Sequence, residues 1–135
     1  MKRRIFIVED HPLVRESYIM FFNMTDDLEV CGSSSSAEEA LEVLEEAKPD
    51  VLVVDVSLPG MSGIDLIETL QESHALLPTL VLTGHDNDVY RNGAADAGAL
   101  CFKVKHDGPD EIVEAIRDMI KHAYSDTGSW KPTDS

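Results

Sequence analysis

The sequence predicts an α/β doubly wound fold, a parallel sheet with helices on both faces. Three observations carry this. Short apolar runs alternate with longer stretches of helical period, five times over along the chain. The run VLVV at 51–54 lacks the alternation of a half-exposed strand and reads as buried on both faces, as in a parallel sheet covered by helices. The chain has 135 residues, a length that suits one domain and buries roughly two thirds of the surface exposed when unfolded.

Each element has its own signals. The first strand is RIFIV (4–8), and Pro12 stands where a helix can begin, since a first-turn proline has no hydrogen bond to lose. That helix is HPLVRESYIMFFNM (11–24), and LEVCG (28–32) is the second strand. In SAEEALEVLEEA (36–47), Ala40, Leu41, Val43, Leu44 and Ala47 form a stripe at helical spacing with glutamates on the solvated side. Pro49 closes this helix. VLVVD (51–55) is the third strand and GIDLIETLQES (63–73) the third helix. Pro78 precedes the fourth strand, TLVLT (79–83), and NDVYRNGAADAG (87–98) follows as a helix. Gly93 inside it costs up to ~1 kcal/mol relative to Ala and predicts a less rigid face. LCFKV (100–104) is the fifth strand, and Pro109 opens the last helix, PDEIVEAIRDMIKHAY (109–124). Residues 125–135 have tail or linker composition, so the expected domain is 1–124.

Composition excludes several function classes. A net charge of −15 opposes direct nucleic-acid or anionic-membrane binding by this domain. The two cysteines, Cys31 and Cys101, lie far apart in apolar contexts without metal-ligand spacing, and read as reduced thiols. The apolar run after the basic start of the chain stops at Val8, too short for a signal peptide. No stretch approaches the ~20 apolar residues of a membrane span. A cytoplasmic location is expected.

Polar residues terminate the strands, and these carry the chemistry. Glu9 and Asp10 end the first, Asp55 the third, Thr83 the fourth, and Lys105 follows the fifth. Open α/β sheets bind ligands beyond the carboxyl ends of their strands, where strand order reverses. With order 2-1-3-4-5 that point lies between strands one and three, bringing Glu9 and Asp10 beside Asp55. Three carboxylates in one cleft repel unless a cation lies among them. Hard oxygen ligands with solvent access suit Mg²⁺. Thr83 and Lys105, a hydroxyl and an ammonium, are suited to the oxygens of a phosphoryl group. Singly, each residue has an ordinary role as turn, cap, strand or surface residue. Their joint placement at four strand ends points to phosphoryl chemistry on Asp55.

The segments IFIVEDHPLVRES, PDVLVVDVSLPGMSGIDLI, LVLTGHD and AGALCFKVK, in this order and spacing, resemble the response-regulator receiver domain of two-component signalling, from Arg4 to about His122. EDHPLVRE and LEVCGSSSSAEEAL resemble the branch usually joined to a helix-turn-helix DNA-binding domain. The resemblance implies a flavodoxin-like five-stranded sheet in order 2-1-3-4-5. It implies Asp55 as phospho-acceptor, with Glu9, Asp10, Asp55 and the backbone carbonyl of Ser57 for Mg²⁺. Thr83 becomes the switch hydroxyl, Lys105 the phosphate-binding lysine and Phe102 the aromatic that moves with Thr83. Pro59 and Gly63 shape the loop after Asp55, and Gly84 keeps room beside the phosphate. Implied partners are a histidine kinase or phosphotransfer protein, with a homodimer left open and DNA reached only through a C-terminal domain. The helix four, strand five and helix five face is expected to carry the output.

Some positions depart from the family pattern. His106 stands where many members have proline, so a cis peptide after Lys105 is not assumed. Lys103 occupies a usually apolar place. Lys103 and Lys105 share a strand side, but Lys103 would lie about 6.6 Å further back at roughly 3.3 Å per residue, so Lys105 is the expected site lysine. Ser57 and His85 each follow an expected site residue by two and border the path of attacking water; both are expected to tune the phosphorylated lifetime. An aspartyl-phosphate-type phosphohydrolase would need a carboxylate where Ser57 stands. A flavodoxin-like flavin module would need hydroxyls and glycines where EDHPL stands.

Overall fold

The computed structural model describes residues 2–84, 88–105 and 107–124. The chain alternates strand and helix throughout: β1 (Arg3–Val8), α1 (Pro12–Asn23), β2 (Leu28–Ser34), α2 (Ala37–Ala47) and β3 (Val51–Asp55), then α3 (Gly63–Glu72), β4 (Thr79–Thr83), α4 (Asp88–Ala97), β5 (Cys101–Val104) and α5 (Pro109–Ala123). The five strands are parallel in the order β2-β1-β3-β4-β5.

Strand alternation sorts the apolar runs onto two faces. Phe6, Val8, Leu52, Val54 and Val81 pack with Ala40, Leu44, Leu66, Ile67 and Ala94 of α2, α3 and α4. Ile5, Ile7, Val51, Val53, Leu80 and Leu82 pack with Phe22 of α1 and Ile112, Ile116 and Met119 of α5. Burial on both sides explains why VLVV has no polar alternation.

The sequence ended β2 at Gly32, but the strand continues through Ser33 and Ser34, which pair with Ile7 and Val8. Pairing along the sheet overrides the weak strand preference of serine. A register shift falls between Ile5 and Phe6, and Gly32 there leaves room for the Phe6 ring, 3.0 Å from where a Cβ would stand. Ser36 caps α2 through the Glu39 amide, and Lys48 ends it at φ 48°, just before Pro49.

Gly93 has a packing role. A Cβ there would lie 3.1 Å from Ile64 Cδ1, so the glycine lets α4 approach α3 closely. Lys103, half-buried on β5, lines a groove of about 680 Å³ with Asp110, Glu111, Glu114 and Asp118 of α5. Both cysteines are free and half-buried.

Candidate functional site

Register brings the site together. Val8 pairs with Val54, so Glu9 and Asp55, one step further on, emerge side by side at the carboxyl edge. Asp55 pairs with Leu82 and Thr83 with Val104, which sets Lys105 just beyond the far side of the same edge. Glu9, Asp55 and Thr83 are buried, at 2%, 3% and 0% exposure.

Lys105 joins the two buried carboxylates. Its Nζ lies 2.7 Å from Glu9 Oε1 and 3.0 Å from Asp55 Oδ2. The Ser57 amide donates to Asp55 Oδ1 at 3.0 Å. The His11 amide donates to Glu9 Oε2 at 3.2 Å, and the Arg15 guanidinium donates to the Glu9 carbonyl at 2.8 Å. Asp10 Oδ1 is buried without a hydrogen-bond partner; His11 Nδ1, 3.3 Å away, is near but not in bonding geometry. Ligand atoms of Glu9, Asp10, His11 and Asp55 all lie within 4.8 Å of one another.

The two carboxylates diverge electrostatically. Burial raises the Asp55 carboxyl, and Glu9's charge adds to this; the Ser57 amide and Lys105 oppose without cancelling it. Burial also works on Glu9, but its shorter bond from Lys105, the His11 amide and the Lys105 charge hold it below its ordinary value. Lys105 loses solvation, yet its bonds to Glu9 and Asp55 hold it above its ordinary value. One ammonium cannot neutralise three carboxylates.

The loop after Asp55 is shaped at several points. Gly63 donates its amide to the Val56 carbonyl, and a Cβ at Gly63 would overlap the Asp55 carbonyl oxygen. Ser62 and Asp65 form a reciprocal capping box that starts α3. Pro59 and Ser57 are exposed. Glu38, from the first turn of α2, accepts a hydrogen bond from the Met61 amide at 3.3 Å and lies against Gly60, whose φ is 73°.

Thr83 and Phe102 project from the opposite sheet face, toward α4. Val81 is the partner of Phe102, so Thr83 lies two residues along on the same side. The Arg91 guanidinium covers the Phe102 ring at 4.5 Å. A Cβ at Gly84 would meet no atom within 4 Å. His85, His106 and residues 125–135 lie outside the described residues. Lys103 lines the α5 groove and is not among the groups that bond Asp55. Sequence reasoning missed His11, Arg15 and Glu38. Adjacency to Asp10 was the only available signal for His11; the Glu38 clasp spans 23 residues and leaves none.

The response regulator receiver domain profile matches residues 5–117. The chain belongs to the response-regulator receiver family. It is 36% identical over 111 residues to the uncharacterized transcriptional regulatory protein YhcZ of Bacillus subtilis, covering 82% of this chain and 52% of that protein. It is 35% identical to the response regulator GacA of Pseudomonas viridiflava, covering 84% of this chain and 53% of that one. A LuxR-family response regulator from Aurantimonas superposes with TM-score 0.83 at 31% identity, over 88% of this chain and 85% of that one. A receiver domain assigned to NarL of Mycobacterium tuberculosis gives 0.82 at 29% identity, over 87% and 94% of the two chains.

Receiver domains are phospho-acceptor signalling domains rather than ordinary enzymes, and neither the phosphohydrolase nor the flavin alternative is favoured. The chain spans about half the length of the curated relatives it matches. No described helix is long and apolar enough to cross a membrane. The family implies a divalent cation, and the cleft fits one: its donors are hard carboxylate oxygens, and the orphaned Asp10 Oδ1 lacks a partner that a cation would supply.

Proposed function

We propose that Asp55 accepts a phosphoryl group from a histidine kinase or phosphotransfer protein in the cytoplasm, and that this changes the face formed by α4, β5 and α5. The observation that carries the reading is the Lys105 ammonium, held at 3.0 Å from Asp55 where a transferred phosphoryl group would arrive. Glu9, Asp10, Asp55 and the Ser57 carbonyl are the groups that would hold Mg²⁺. When bound, Mg²⁺ would neutralise charge on the transferring group.

An Asp55 carboxylate oxygen attacks the phosphorus of a phosphohistidine; the new O–P bond forms as the N–P bond breaks, and the imidazole leaves. Lys105 exchanges its bond with Asp55 for one with a phosphoryl oxygen. Thr83 donates its hydroxyl to another phosphoryl oxygen, and Phe102 moves into the space it vacates. Phosphorylation adds roughly −1.5 to −2 charge and strong acceptors, enough to bias such a two-state element. Gly63 and Pro59 keep the loop beside Asp55 in shape, Gly84 leaves space, and Ser57 borders the route of hydrolytic water; His85, outside the described residues, is assigned a part in the phosphorylated lifetime from the sequence alone. In a longer protein the changed face acts on a DNA-binding domain; a homodimer is an alternative output.

Incubation with acetyl phosphate and Mg²⁺, followed by intact-mass spectrometry, tests the reading. One added phosphoryl group is expected on the native chain. Equal labelling of Asp55→Asn would remove Asp55 from the role.

A further inference from the structure

The acidic cleft has a nitrogen donor at its rim. Lys105 engages Glu9 Oε1 and Asp55 Oδ2. Glu9 Oε2 and Asp10 Oδ1 remain on the other side, and His11 Nδ1 lies 3.3 Å from each. Ligand atoms around one small divalent ion, bound at ~2.1 Å, are separated by about 3.0 Å in adjacent octahedral positions and about 3.4 Å in tetrahedral ones. The two 3.3 Å separations therefore already have the spacing of atoms sharing one ion.

The His11 ring is held by a hydrogen bond between its Nδ1 and Glu9 Oε2 at 3.3 Å, a contact that a shared ion would replace. His11 stands at the N-cap of α1, yet its side chain makes no capping hydrogen bond. The ring is 67% exposed, and its contacts run to Glu9 and Asp10. An all-oxygen set suits Mg²⁺, which takes carboxylates and water; an imidazole favours borderline transition metals, whose affinities rise from Mn²⁺ toward Ni²⁺ and Cu²⁺.

We propose that His11 is a specificity-determining ligand that lets the phosphorylation cleft take a first-row transition dication, of the Ni²⁺ or Zn²⁺ type, more tightly than Mg²⁺. This rests on the reading of the cleft as a cation site, with Glu9 and Asp10 as shared ligands and His11 as the group that discriminates. Mg²⁺ is held without the imidazole, whereas Ni²⁺ gains it. Metal availability would then influence which ion occupies the receiver.

Titration calorimetry with Mg²⁺ and, separately, Ni²⁺ tests this on the full chain, native and as His11→Ala, His11→Asn and Asp10→Asn. The asparagine at 11 retains a polar N-cap and guards against a loss that comes from α1 alone. Native protein should bind Ni²⁺ more tightly than Mg²⁺. Both His11 variants should lose about tenfold or more in Ni²⁺ affinity while Mg²⁺ affinity stays unchanged. A hyperfine-shifted imidazole proton in the Ni²⁺ complex should vanish from both. Unchanged Ni²⁺ affinity in the His11 variants overturns the proposal, as does equal loss of both ions, which would make His11 a support for Glu9. Asp10→Asn should weaken both ions; if it weakens neither, the cation site itself is misplaced, a result distinct from failure at His11.

Discussion

Replacing Asp55 by Asn should make the domain more stable when divalent cations are removed. In the cleft Asp55 faces Glu9 and Asp10 with ligand atoms within 4.8 Å. Each repulsion at that distance is worth about 3.5 kcal/mol at an effective dielectric near 20. The Lys105 ammonium at 3.0 Å returns about 5.5 kcal/mol on the same scale. Repulsion exceeds attraction by about 1–2 kcal/mol, and burial of the charge acts in the same direction. The sign follows from the raised carboxyl of Asp55. Stability is fully present below its unfolded value near 3.8 and is lost as pH rises through the folded value. Asparagine avoids that loss, so its advantage should be present at pH 7 and fade toward acid pH. Urea unfolding followed by far-UV circular dichroism, in EDTA, should show a gain of about 1–2 kcal/mol. Mg²⁺ at ten times its dissociation constant should stabilise the native chain by about 1.4 kcal/mol and close much of the gap. An asparagine variant no more stable than the native chain, with a difference insensitive to pH and Mg²⁺, would refute the repulsive cleft.

Glu9→Gln should act in the opposite sense. Glu9 contributes stability above its unfolded value near 4.5 that is lost as pH falls through its lowered folded value, so the variant should be less stable at pH 7 in the same unfolding assay. Gly63→Ala should cost about 3 kcal/mol through overlap with the Asp55 carbonyl, read as a lowered urea midpoint. Glu38→Ala should cost about 1 kcal/mol and accelerate hydrogen exchange at the Met61 amide, leaving β1 amides protected. Tyr124, whose hydroxyl donates to the Asp50 carbonyl, is pushed up to about 12 by burial and the Asp50 charge against the opposing Arg3. Its stabilisation should be intact below pH 10 and be lost as pH rises toward 12, and Tyr124→Phe should flatten that alkaline limb of the unfolding curve.

Strand ends were legible because they are local. VLVVD carries its own evidence, four apolar residues closed by a carboxylate, and the doubly wound order then brings strand ends one and three together. Depth along the strand was the argument for Lys105 over Lys103, and the ammonium that bonds Asp55 Oδ2 in the structure is that of Lys105. The serine extension of β2 was not legible, since Ser33 and Ser34 become strand through pairing with Ile7 and Val8, not through their own preference. Glu38 was hidden for a related reason: a glutamate in a run of glutamates reads as solvated until α2 is packed beside the loop at Gly60 and Met61. The packing reason for Gly93 required the distance to Ile64 on another helix.

The central claim is that the phosphoryl group resides on Asp55, and chemical trapping tests it most directly. Borohydride reduces an aspartyl phosphate to homoserine, so the phosphorylated chain, reduced and digested, should yield homoserine at position 55 in the peptide spanning VLVVDVSLPG. Homoserine at Asp10 with Asp55 unmodified would contradict the account.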